Sequence, residues 1–307
     1  MFLPSQIWQP QAPLEPLHLD WLAKANIEVA ILRLDQIDPL ISGNKWFKLI
    51  EHLKVADRNG SKGIISLGGA HSNHLHALAA AGKRFGFATV GLLRGHPQQT
   101  PTVKDLQVGM QLHWLGYGGY RARHEAGFWE PWLAQYPDLL AVPEGGGGLP
   151  GARGCQQLKT LVDRQLNTLG WNDYDGWWLA CGTGTTLAGL VMAEAGEHPV
   201  YGALAVPDDH GVAQQVERIV EEAGVNHPSY ELLDASRGGF AKVDPKLLDF
   251  IEQTEQASGI PMEPLYTGKA LLALKQQVEA GKFVRGTRLI FIHTGGLQGR
   301  RGFNSKI

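Results

Sequence analysis

A chain of 307 residues, 43% of them apolar or aromatic and 19% charged, has material for two cores, or one large one, at roughly 100–200 residues per domain. Its 28 Lys and Arg against 30 Asp and Glu leave a formal charge of −2, so no broad basic field is available for nucleic-acid phosphates or an anionic membrane surface. The two cysteines, Cys155 and Cys181, exclude a CxxC pair, a zinc knuckle or a disulfide framework and suit a reducing compartment.

Along the chain, short β-branched apolar runs alternate with amphipathic stretches. The opening MFLPSQIWQPQAPLEPL has no basic leader and is interrupted by four prolines. No later apolar run approaches the roughly 18 residues of a membrane span, so a cytoplasmic, unanchored protein is expected. EVAILRL (28–34) predicts a strand and KWFKLIEHLKVADRNG (45–60) a helix. GIISLGG (63–69) with SNHLHALAAAGKRFG (72–86), and FATVGLL (87–93) with TPTVKDLQVGMQ (100–111), repeat the pair. LLAV (139–142) then gives way to EGGGGLPG (144–151), glycines expected to break regular structure and mark a seam. Beyond it come WWLACG with TGTTLAGLVMAEAG, VYGALAVP with GVAQQVERIVEEAG, and a closing strand in RLIFIHTGG. The predicted fold class is α/β, with two doubly wound, mainly parallel sheet domains: a larger one from residues 1–50 and 156–307, and a smaller one, 51–155, inserted in it.

Open α/β sheets bind ligands beyond the carboxyl ends of their strands, and four polar or glycine-rich segments at such positions carry chemistry. In Ser42-Gly43-Asn44-Lys45 the lysine enters a helix whose apolar residues 46, 49, 50 and 53 share a face, with Asn44 or Ser42 as N-cap. A cation there meets the positive end of the helix dipole, which favours a neutral, nucleophilic amine, although a lone lysine is ordinarily a solvated surface group. Gly68-Gly69-Ala70-His71-Ser72-Asn73-His74 leaves a strand and enters a helix. It is a natural carboxylate or phosphate cradle, or simply a capped turn. His71, His74 and His76 have no acidic or sulfur co-ligand in their segment, so no metal is expected.

The third segment is Cys181-Gly182-Thr183-Gly184-Thr185-Thr186. Its glycines expose backbone N–H groups and its threonines add hydroxyls at a helix start. No Walker lysine follows, and the dinucleotide fingerprint GxGxxG fails because Leu187 takes the place of the third glycine. A monoester phosphate fits better than a pyrophosphate. The fourth segment pairs Tyr266-Thr267-Gly268-Lys269 with His293-Thr294-Gly295-Gly296, which offer a phenol and a strand-end hydroxyl. Together, a reactive lysine, a carboxylate cradle, a monoester-phosphate loop and a neutral hydroxyl are the parts needed to hold pyridoxal 5′-phosphate and an amino acid.

At these residues the chain resembles the 1-aminocyclopropane-1-carboxylate deaminase / D-cysteine desulfhydrase family of fold-type II, tryptophan-synthase-β-like pyridoxal-phosphate enzymes. SGNKWFKL resembles that family's GGNKxRKL segment, GGAHSNH its SNxx segment, EGGGG its EGGxN segment, and YTGKA and HTGG its two C-terminal segments. Lys45 and Ser72 are 27 residues apart, Tyr266 and Thr294 are 28 apart, and the resemblance runs over about residues 30–303. It implies pyridoxal 5′-phosphate as cofactor, a small amino-acid substrate and a homodimer. By the same resemblance Lys45 would form the internal aldimine and, once released, act as general base at Cα. Asn73 would bond the cofactor's phenolic oxygen. Gly182, Thr183, Gly184, Thr185 and Thr186 would hold its phosphate, Thr294 would face the pyridine nitrogen, and Lys48 would be structural. Ser72, with the N–H groups of Asn73 and His74, would take the substrate carboxylate, while Tyr266 would reach the reacting side.

A neutral hydroxyl at Thr294 does not enforce a protonated pyridine, which disfavours transamination relative to β-elimination. Thr267, Thr294 and SNH in place of SNQ resemble the desulfhydrase side of the family. Phe240 stands where a second tyrosine is expected, Phe47 replaces an arginine, and EGGGG lacks the asparagine. The expected activity is α,β-elimination from a small, D-cysteine-like amino acid to a 2-oxo acid, ammonia and sulfide. The runner-up is cyclopropane ring opening to 2-oxobutanoate and ammonia. A nucleotide-dependent oxidoreductase and a non-catalytic cofactor- or amino-acid-binding module are the rivals from other classes.

Overall fold

The structure, a computed structural model, describes residues 8–302. Its strands are Leu14–Pro16 (β1), Glu28–Arg33 (β2), Gly63–Gly68 (β3), Ala88–Leu93 (β4), Gln111–Trp114 (β5), Leu139–Ala141 (β6), Gly176–Cys181 (β7), Val200–Leu204 (β8), Tyr230–Asp234 (β9) and Arg288–His293 (β10). They form a six-stranded sheet, β1-β2-β10-β7-β8-β9, and a four-stranded sheet, β5-β4-β3-β6. The strands pair in parallel except β1, which runs antiparallel to β2 at the edge with Leu14 opposite Leu32. Parallel sheets covered by helices bury both faces, and β3 and β7 are accordingly buried at every position. This is the α/β architecture that the alternating sequence predicts.

Two registers bring the functional segments together. Strand β10 comes from the end of the chain yet lies between β2 and β7, with Ile292 beside both Leu32 and Leu179. The carboxyl ends of β2, β10 and β7 therefore fall level, and Thr294 and Gly182 leave the same edge. In the smaller sheet Ile65 lies beside Ala141, so the loops after β3 and β6 also emerge together.

The glycine-rich stretch after β6 departs from expectation. Glu144–Gly146 is a 3₁₀ turn and Gly148–Cys155 an α-helix. Glycine costs about 1 kcal/mol relative to alanine inside a helix, and close packing offsets it. A Cβ on Gly151 would lie 2.0 Å from the carbonyl oxygen of Gly146, and one on Gly154 1.9 Å from that of Phe47. On Gly189, in the Thr185–Glu194 helix, it would lie 2.4 Å from the carbonyl oxygen of Ala152. Helices Lys45–Arg58, Gly148–Cys155 and Thr185–Glu194 thus touch backbone to backbone.

The Lys45–Arg58 helix runs unbroken through residue 50, where a seam was expected. It gives Phe47 to the core of the larger sheet and Trp46, Leu49, Ile50 and Leu53 to that of the smaller one. Phe47, an arginine in the resembled motif, is thereby accounted for as core. No helix among the described residues is long and apolar enough to cross a membrane.

Candidate active site

Lys45 is the first residue of its helix, where the dipole disfavours an ammonium. Asn44 stands at the N-cap position but makes no side-chain cap. Its amide Nδ2 instead donates to Thr186 Oγ1 at 2.8 Å, and its backbone N–H donates to the Thr294 carbonyl at 3.2 Å. Gly43 takes a left-handed φ of 77°, and a Cβ there would lie 2.1 Å from the Thr294 oxygen, so only glycine fits. These bonds tie the lysine's turn to the threonine turn and to the end of β10.

Burial drives the Lys45 amine well below the ordinary lysine range, with the neighbouring charge of Lys48 adding to it. Lys48, one helical turn on, is 3% exposed, and burial lowers it too, against the opposing influence of Cys155 and Cys181. The ammonium form is thus disfavoured at both amines, and the downward shift is the stronger at Lys45. Burial raises the Cys155 thiol and pushes that of Cys181 to about 12, so neither is a nucleophile near neutral pH.

The threonine turn joins β7 to the Thr185–Glu194 helix. Gly184, at a left-handed φ of 71°, makes no side-chain cap, and a Cβ on it would lie 2.4 Å from Val216 Cγ2. First-turn N–H groups have no intrahelical acceptor, and here Thr183 and Thr185 add hydroxyls 3.1 Å apart. The Thr186 hydroxyl faces Asn44 and the Cys155 thiol, so it fixes the turn from behind. Gly182 lies under Tyr266, whose Cε1 would be 3.0 Å from a Cβ placed there.

On the smaller sheet, Ser72 caps the Asn73–Phe85 helix by accepting from the Leu75 N–H at 3.2 Å. Asn73 Oδ1 accepts from Gln298 at 2.8 Å, and its Nδ2 lies against Gly296. The His74 side chain turns inward, so only its backbone remains for a ligand. The Ser66 hydroxyl donates to the Val142 carbonyl and must therefore accept from His74 Nε2, each at 2.8 Å. The His74 Nδ1 is left bare and buried, without a partner among the described residues. His71 is exposed and His76 pairs with Asp105 at 3.2 Å, so the three histidines diverge.

Three residues that sequence reasoning missed support this arrangement. Glu263, 2% exposed, accepts from the N–H groups of Leu265, Tyr266 and Thr267 at 2.6–2.7 Å and so fixes the backbone of Tyr266. Burial nevertheless pushes its carboxyl up to about 7. Its signal was a lone acid among prolines and apolar residues in IPMEPLY. Glu144 accepts from the Tyr120 hydroxyl at 2.5 Å and Arg123 Nε at 2.8 Å. Lys269 donates to three loop carbonyls. Thr267, singled out as a discriminator between substrates, bonds Glu263 within its own turn. The Tyr266 phenol is raised by burial and then by Glu263 and Glu144, so it remains a proton donor.

Residues 9–295 match the family model described as pyridoxal-phosphate dependent enzyme. The chain belongs to that family. Over 289 residues this family member is 28% identical to a Pyrococcus furiosus protein provisionally named 1-aminocyclopropane-1-carboxylate deaminase, covering 87% of this chain and 84% of the relative. It is 25% identical over 292 residues to the bifunctional D-cysteine desulfhydrase/1-aminocyclopropane-1-carboxylate deaminase, mitochondrial, of Arabidopsis thaliana, covering 89% and 73%. Its fold matches the crystal structure of an ACC deaminase homologue with a TM-score of 0.84 at 24% identity, over 99% of this chain and 97% of the other. Threonine deaminase isoform 2 of Solanum lycopersicum matches with a TM-score of 0.68 at 17% identity, over 95% and 81%.

The residues present suit the family's cofactor. An amine whose ammonium form is disfavoured by burial meets an aldehyde's need. A glycine-threonine turn without a lysine of its own meets that of a phosphate monoester, and the Gly182–Tyr266 contact closes one wall.

Proposed function

We propose that this pyridoxal-phosphate enzyme is a lyase that releases ammonia from a small, D-cysteine-like amino acid by α,β-elimination. The observation that carries the reading is Lys45, half-buried at its helix start, its amine lowered by burial and by the neighbouring Lys48, and its turn joined through Asn44 to the threonine turn. In this reading Lys45 holds the cofactor, Gly182 through Thr186 take its phosphate, Asn73 its phenolic oxygen, and Thr294 faces its ring nitrogen. When bound, the cofactor supplies the electron sink that makes the substrate's Cα–H acidic.

The chain's own residues do the rest. Ser72 and the N–H groups of Asn73 and His74 hold the substrate carboxylate at the start of the Asn73–Phe85 helix. Lys45, its amine lowered by burial, accepts the Cα proton. Tyr266, whose phenol stays protonated, stands at the reacting side to protonate the departing group. With cysteine, the Cα–H and Cβ–S bonds break, sulfide leaves, and water converts the released enamine to pyruvate and ammonia. Phe240, packed on Tyr266 in place of a second phenol, favours a leaving group that needs one proton donor.

Incubating the holoenzyme in parallel with D-cysteine, L-cysteine and 1-aminocyclopropane-1-carboxylate tests this. Sulfide and pyruvate from D-cysteine are expected. Formation of 2-oxobutanoate from the cyclopropane substrate in place of sulfide would replace elimination by ring opening. Cofactor uptake without oxo acid from any amino acid would leave a binding module.

A further inference from the structure

The loop Asp234-Ala235-Ser236-Arg237-Gly238-Gly239-Phe240 has two adjacent glycines, a composition that ordinarily leaves a loop mobile. Here it is held. Asp234 Oδ1 accepts from the Ser236 N–H at 2.8 Å, and Ser236 Oγ from the Gly238 N–H at 3.2 Å. Arg237 and Gly238 both take left-handed backbone, at φ 57° and 77°. Lys269, 1% exposed, places Nζ 2.9 Å from each of the carbonyl oxygens of Ser236, Gly239 and Phe240. An ammonium has three N–H groups, and these bonds use all of them. Burying a charge on neutral carbonyls is unfavourable unless every donor is satisfied, so this geometry is selective for lysine.

The clamp reaches the active site. The Phe240 ring lies 5.4 Å from that of Tyr266 at an interplanar angle of 61°. Tyr266 covers Gly182 and precedes the Thr267–Glu279 helix, whose first turn carries Lys269. One helix start therefore holds Tyr266 directly and Phe240 through the loop.

We propose that Lys269 is a positioning residue: its three-carbonyl clamp sets the Phe240–Tyr266 wall, and that wall limits the substrate side chain beyond Cβ. The second half rests on the proposed amino-acid chemistry of the site; the clamp does not.

The test uses the holoenzyme and its Lys269→Met and Phe240→Ala variants. In Lys269→Met, amide exchange across residues 236–242 should quicken about tenfold while the Lys45–Arg58 helix is unchanged. Binding of D-alanine and D-phenylalanine is read from the change in cofactor absorbance. The preference for alanine should narrow about fivefold in both variants, and the double variant should narrow it no further. Phe240→Ala should leave loop exchange unaltered, because the clamp grips backbone. Unchanged exchange in Lys269→Met overturns the clamp, and faster exchange with unchanged preference overturns the wall. If Lys269→Met does not fold, Lys269→Arg replaces it; a single guanidinium does not converge three donors on one point, so the same two readouts apply. Should no variant bind either amino acid, the proposed substrate class fails, and exchange alone decides the clamp.

Discussion

Gly154→Ala separates two views of the glycine-rich stretch. If glycine were there for want of constraint, alanine would stabilise the Gly148–Cys155 helix by up to about 1 kcal/mol through propensity. The structure argues the opposite. The new Cβ would sit 1.9 Å from the Phe47 carbonyl oxygen and 3.1 Å from Ile50 Cγ2. Real Cβ contacts do not fall below 3.0 Å, so the two helices must part by roughly 1 Å. The obstructing atom is backbone, and no rotamer change relieves it. A gap of that size forfeits a quarter to a half of each dispersion contact along the seam, and overpacking of this kind costs about 1–3 kcal/mol. Taking roughly 3 against a gain of about 1 leaves a net loss of about 2 kcal/mol.

At about 2 °C per kcal/mol for a chain of this length, Tm should fall by about 4 °C, measured by thermal unfolding without cofactor. Phe47 belongs to the first turn that begins with Lys45, so pyridoxal phosphate affinity should also weaken, by about tenfold. A Tm that rises, or one that falls while cofactor affinity is untouched, refutes the reasoning.

Other outcomes follow from the site. Lys45→Ala should abolish the yellow adduct trapped by borohydride and lower turnover by about three orders of magnitude, since it removes both the proposed anchor and the proposed base; retained trapping would assign the adduct to another lysine. Tyr266→Phe keeps the ring over Gly182 and removes only the phenol, so kcat should drop about 10²–10⁴-fold with cofactor affinity unchanged; an equal loss of affinity would make the hydroxyl a cofactor contact. Glu263, buried and raised from 4.5 to about 7, favours the folded state fully below about pH 4.5 and loses that contribution, about 3 kcal/mol, as pH rises through about 7. The Tm difference between Glu263→Gln and the parent should therefore move in favour of the variant between pH 5 and 8, and a difference constant with pH would place the carboxyl's folded value near its ordinary one.

Much of this architecture is legible in the sequence because parallel sheets repeat one local signal: a buried apolar run, a polar turn, a helix. Lys45, Gly182 to Thr186, Ser72 and Asn73 all lie at such turns. Elements lacking the signal were missed. Leu14–Pro16 is three residues long and ends in proline, while Tyr230–Asp234 is an edge strand exposed or half-buried throughout. The glycines of Gly148–Cys155 read as a break because their local penalty is visible in the sequence, whereas the Phe47 carbonyl that demands Gly154 comes from a distant helix. Glu263 and Lys269 escaped for a related reason. Each acts on backbone groups, and backbone leaves no mark in composition.

The same logic bears on the chemistry proposed for Lys45. Nothing in KWFKLIEHL distinguishes Lys45 from a surface lysine except its place at a helix start. What sets it apart is that this helix is wedged between two cores, giving Phe47 to one and Trp46 and Leu49 to the other, so most of the first turn is withdrawn from water while Lys45 itself stays half-buried. Lys48 then adds a second buried amine one turn away, and two such neighbours cannot both stay charged. Lys48 faces the buried thiols of Cys155 and Cys181, which oppose its downward shift, while Asn44 fastens the turn of Lys45 to the threonine turn. The reactivity proposed at position 45 thus rests on where two sheets meet.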